Sequence, residues 1–160
     1  MSFWQEMGGL GGRCALALLA VAIVGRRKLL RLFQLPALIF VPLLFWWVAG
    51  TLGDAGSLTT IKAGIFVAGF LTVAQFSFWG NYIPLVFPLH LRGTGESFAA
   101  NIGGRVIGTA AAWLTLTFSE SRPPDPAKIA MVGAMVAGLY ALVGALLTQW
   151  LPEPSEKLAD

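Results

Sequence analysis

Cysteine is almost missing from this sequence: Cys14 stands alone among 160 residues. One thiol excludes an internal disulfide and any cysteine-based metal cluster, and it reads as a small apolar residue in a helix. Histidine is as scarce. His90 sits beside Arg92 with no second histidine, cysteine or carboxylate pair at metal-ligand spacing. Charge is the third shortage, at 12% of residues, against about 25% in a typical soluble domain. So few ionisable groups form no catalytic constellation, and neither an enzyme nor a cofactor is expected. The glycine-rich stretches do not cradle phosphate either. "GTG" is too short, and "GGLGG" opens an apolar helix without a strand before it. The net charge of +3 lies mainly at the ends of apolar runs, not on a solvated basic face, so nucleic acid is not an expected partner.

What the chain has instead is hydrophobic length. Apolar residues make up 56% of it, in runs approaching the roughly 20 residues a membrane helix needs. The expected fold class is an all-α membrane protein with about five transmembrane helices in one domain over 1–160. The spans are about 3–24, 32–51, 61–88, 96–118 and 128–151. The third would extend about 40 Å as one helix, so it is expected to tilt, or to break at Pro84 and Pro88. The links "GRRKLLR", "GTLGDAGSLTT", "LHLRGTG" and "SESRPPDPAK" are short and turn-like.

Arg26, Arg27, Lys28 and Arg31 form the strongest basic cluster, which assigns that side to the cytoplasm. The N-terminus is then outside, and "LHLRGTG" and the C-terminal tail are cytoplasmic. "CALALLAVAIVG" has the look of a signal-peptide core, but the "RRK" that follows opposes translocation. An odd helix count with an outside N-terminus raises the expectation that the functional protein starts upstream of Met1.

Polar residues inside the runs mark candidate sites, because charge at bilayer depth is costly and usually faces a bundle interior or aqueous cavity. Arg13 lies about 18 Å and Arg105 about 15 Å from the cytoplasmic helix ends. Each ends a Gly-Gly-Arg tripeptide, three spans apart, as in inverted three-helix repeats. Ser97, Asn101 and Arg105 share a helix face. Thr72, Gln75, Trp79 and Tyr82 form a second stripe. Competing readings stand beside these: an aromatic interfacial belt for Trp79 and Tyr82, interhelical bonding for Gln75 and Asn101, and a purely structural role for the arginines. The charge-free second and fifth runs read as outer, lipid-facing supports. Small residues at Gly104, Gly108 and Ala112, and at Gly133, Ala137, Ala141 and Ala145, read as close-packing faces.

The stretch "FPLHLRGTGESFAANIGGRVIGT" resembles the major facilitator superfamily at the junction of its helices ten and eleven. The resemblance is carried by Pro88, Leu91, Arg92, Gly93, Thr94, Gly95, Asn101, Gly104 and Arg105. "GGRCALALLAVAIVGRRKLLR" resembles the same family's helix eight and the loop to helix nine, although Ala22 or Ile23 stands where an acidic residue is often found. The resemblance implies helices eight to twelve of a twelve-helix fold, that is, part of the C-terminal six-helix lobe. It further implies a secondary transporter in a bacterial plasma (inner) membrane, working by alternating access as a proton symporter of a small organic solute. Its partners would be the lipid bilayer, the solute and protons in the intact carrier, and a missing N-terminal lobe. The candidate substrate-binding residues are Arg13, Gln75, Trp79, Asn101 and Arg105, and a carboxylate would suit the two arginines. Gly25, Arg26, Arg27, Arg92, Gly93, Gly95 and Glu96 are expected to serve the cytoplasmic loops and gating. The glycines of the Arg92–Gly95 segment are read as a tight turn, and Glu96 as a complement to the next helix's N-terminus. Glu6 and Glu96 are the only carboxylates near the spans, so the main proton-coupling residue is expected in the missing half. The chain alone is not expected to transport. The alternative is a stand-alone five-span scaffold or interaction protein without transport activity.

Overall fold

The computed structural model describes residues 1–23, 25–54 and 56–151. Among these the chain is all-α. Helix α1 is Ser2–Ala22, α2 Arg26–Thr51, α3 Ser57–Thr72, α4 Ala74–Val86, α5 Arg92–Ser119 and α6 Pro126–Leu147. Single 3-10 turns at Leu89–Leu91 and Thr148–Trp150 adjoin α5 and α6. Three stretches are long and apolar enough to cross a membrane: α2, α3 and α4 taken together, and α6 with its following turn. Helices α1 and α5 have the length, at 21 and 28 residues, but interior arginines and glycines dilute their apolar character. Large apolar side chains are exposed on many faces, among them Val21, Ile39, Phe76, Trp113 and Met135. Such a surface suits a bilayer and suggests a membrane protein.

Several helix ends differ from the sequence expectation. Helix α2 begins at Arg26, so most of "GRRKLLR" is helix and not link. Basic residues are poorly matched to a helix N-terminus, but Leu29, Leu30 and Phe33 are buried and draw this first part of α2 into the core. Helix α5 likewise begins at Arg92. Gly93 and Gly95 are therefore helical, not turn residues, and among the described residues positive φ occurs only at Gly53, at +107°. Glu96 consequently falls beyond the first turn of α5, where a helix-terminus effect has faded. Helix α6 starts at Pro126, two residues before the expected 128, and Asp125 Oδ1 accepts a hydrogen bond from the Ala127 N–H at 2.9 Å. The C-terminal tail from 152 lies outside the described residues.

The third run does not break at Pro84, which α4 accommodates, and it ends at Val86 before Pro88. Its interruption is at Val73. Two side chains compete there for main-chain carbonyls. Thr72 Oγ1 donates to Ala68 O at 2.7 Å, and Gln75 Nε2 donates to Leu71 O at 3.0 Å. The Phe76 N–H then reaches back only three residues, to Val73 O at 3.1 Å. Side chains inserted into the ladder in this way bend helices.

Helix α1 crosses α3 most closely at Gly8 and Gly12. A Cβ on Gly8 would meet the Phe66 carbonyl, and one on Gly12 the Phe70 carbonyl. Gly69 of α3 returns the contact against Gln5. Glycines four apart let two backbones touch, which is what "GGLGG" supplies. Helices α2 and α6 form the other extensive pairing. Pro42 of α2 lies against Gly138, and Gln34 against Gly144.

Two packing expectations are corrected. The second run is not an outer support throughout, because Phe33, Gln34 and Ala37 of its first part are buried, whereas residues 38–50 include no buried side chain. The small residues of α5 do not produce close packing. Gly104 and Gly108 face open space, and Gly133 of α6 only touches Thr115 at 3.9 Å. Because both helices are small-faced there without a backbone crossing, an apolar groove of about 810 Å³ remains between α5, α6 and the end of α2.

Candidate functional site

Helix α4 lies between α1 and α5 and packs on both. The sequence-predicted binding residues are distributed over these three helices. On α5 the predicted face is ordered as a ladder. Asn101 Nδ2 donates to Ser97 O at 2.8 Å and to Ser97 Oγ at 3.3 Å, and Arg105 Nε donates to Asn101 Oδ1 at 3.3 Å. The i to i+4 spacing makes this possible. All three side chains are exposed, and Ser119 is the one buried residue of α5.

Arg13 is exposed on α1, with no hydrogen-bond or ion-pair partner among the described residues. Arg13 and Arg105 are both exposed, on helices that each pack against α4. Gln75 is half-buried and spends its amide donor on the Leu71 carbonyl at the Val73 interruption, which leaves Oε1 as an acceptor. Trp79 packs edge-on against Phe78 and Tyr82, with ring centroids 5.4 Å and 6.0 Å away. It belongs to the margin of the core and offers less surface to a ligand than its sequence position implied.

The loop and gating candidates separate into two groups. Gly25 caps α2 in an extended conformation open to any residue, and Arg26 and Arg27 are half-buried after it. Around α5, Gly93 has nothing near it. Gly95 lies under the Phe87 ring, where a Cβ would come within 2.5 Å of Cγ. Its requirement for glycine is one of space and not of φ. Arg92 is half-buried, and its Nε is shielded from solvent without a hydrogen-bond partner among the described residues. Glu96 is half-buried one helical turn further on.

Sequence reasoning passed over one feature. Where the end of α1, the start of α2 and α4 converge, a cavity of about 510 Å³ opens, with Arg26, Asn81 and Tyr82 in its wall. Asn81 was not singled out. Its signal was available, as a lone amide in the apolar stretch between Phe78 and Pro88. No family model matches the chain, and no curated protein or solved structure matches it either.

Proposed function

We propose that this chain is part of a secondary membrane transporter of the major facilitator type, with five spans from the C-terminal lobe, an outside N-terminus and a cytoplasmic C-terminus. It would carry a small organic anion, with a carboxylate the best match, by alternating access coupled to protons. One observation supports this reading above the rest: the Ser97–Asn101–Arg105 ladder is pre-ordered yet exposed, halfway along a helix whose face has no neighbour. A guanidinium at mid-depth is too costly to leave facing lipid. That face therefore calls for a second protein lobe or an aqueous cavity. Arg13, exposed midway along α1, makes the same demand. A carboxylate could meet either guanidinium in a charge-assisted, bidentate contact. The interruption at Val73, where α3 meets α4, gives the lobe a bendable element.

The test begins upstream of the Met1 codon. An in-frame region encoding seven further apolar runs is expected. A genuine translation start with no such region favours the stand-alone scaffold. The extended product is then assayed for proton-driven carboxylate uptake in vesicles. Arg13→Gln and Arg105→Gln are expected to lower uptake by about tenfold at unchanged expression. Uptake at the parental rate in both variants sinks the anionic-solute reading. Liposomes holding the 160-residue chain alone are expected to show no uptake.

A further inference from the structure

The cavity between α1, α2 and α4 has a mixed wall. Leu16, Ala20 and Phe78 make it apolar on one side, and Arg26, Asn81 and Tyr82 supply polar groups. Neither Arg26 nor the exposed Asn81 has a side-chain hydrogen-bond or ion-pair partner among the described residues. Arg26 is also the first residue of α2, a helix long and apolar enough to cross a membrane. A guanidinium at that position stands at the boundary between hydrocarbon and water. The backbone N–H groups of the first turn of α2 point to the same end, since Gly25 provides no side-chain cap.

We propose that this cavity holds one anionic phospholipid of the surrounding bilayer. Its phosphate meets the Arg26 guanidinium, its polar head reaches the Asn81 amide, and an acyl chain lies along Leu16, Ala20 and Phe78. Charge complementarity selects the anion. The apolar wall selects an amphiphile over a free ion, since a soluble anion leaves that surface wet. Basic pockets between membrane helices recognise lipid headgroups by this chemistry. The site is separate from the α5 ladder and holds whether or not the chain carries a solute.

The experiment uses the full chain purified in detergent, with bound lipid counted by native mass spectrometry as phosphatidylglycerol or phosphatidylcholine is added. Retention of one phosphatidylglycerol, and much weaker retention of phosphatidylcholine, is expected. Arg26→Gln removes the charge contact and should weaken retention by about tenfold. Arg31→Gln makes the same change in net charge outside the cavity and should leave retention near the parental level. Ala20→Trp fills the cavity from an exposed position and should weaken retention as Arg26→Gln does. Equal retention in the Arg26 and Arg31 variants overturns the proposal, because attraction would then be diffuse. Displacement of the lipid by excess inorganic phosphate also overturns it, in favour of a soluble anion at the same guanidinium.

Discussion

Thr148 is the most deeply buried polar side chain among the described residues, at 2% exposure, and it joins the end of α6 to α2. Its one hydroxyl proton is shared between Gly144 O and Gln34 Oε1, both at 2.8 Å. The Gln34 contact spans 114 positions, so no local pattern could have announced it. Thr148→Val keeps the shape and removes the donor. It is expected to cost about 0.6 kcal/mol, and at most about 1.7 kcal/mol, the average and maximum for single hydrogen bonds between membrane helices. Reversible unfolding in bicelles measures this. Adding Gln34→Leu should cost less than the sum of the two single changes, since the first leaves the glutamine unpaired. The Ser97–Asn101–Arg105 ladder is the opposite case. Spacing alone disclosed its shared face, because residues four apart on a helix must be neighbours.

At the scale of elements, helix existence was legible and helix character was not. Five apolar runs became helices, with one of them divided at Val73. Of the two prolines expected to break the third run, Pro84 is carried inside α4, while the helix ends just before Pro88. Polar competition for carbonyls, not a missing N–H, interrupts the third run. Thr72→Val combined with Gln75→Leu should therefore restore regular bonding through Val73. Hydrogen exchange at the Phe76 amide is expected to slow by about tenfold. An unchanged rate would place the cause in the crossing of α1 over α3 instead. The starts of α2 and α5 were hidden for a related reason. Positive charge is poorly matched to a helix N-terminus, which hid Arg26 and Arg92 as starts, and tertiary burial of Leu29 and Leu30 overrides this in the first case.

For the whole molecule, the two Gly-Gly-Arg tripeptides are the instructive comparison. Gly12 is pressed against the Phe70 carbonyl, whereas Gly104 has nothing within 4 Å. Gly12→Val should destabilise the bundle by about 1–3 kcal/mol or more, because rigid backbone blocks relaxation. Gly104→Ala is expected to be neutral or to stabilise by up to about 1 kcal/mol, as alanine is the better helix former. Thermal unfolding of both variants in the same detergent makes the comparison. Destabilisation by Gly104→Ala would mean that a partner surface, in this chain or another copy, closes over α5.

The sequence by itself determined an all-α chain of long apolar helices and the shared face of Ser97, Asn101 and Arg105 on α5, both of which rest on contacts within four residues. Only the tertiary structure decided that α1 meets α3 through Gly8 and Gly12, that α2 pairs with α6, that α5 is left open, and that Arg26, Asn81 and Tyr82 surround one cavity. The reason is physical. A helix apolar on every side carries no stripe to say which face it buries. Where every side is greasy, the choice of partner falls to glycine clearances and a few buried hydrogen bonds, which become apparent only once the helices are side by side.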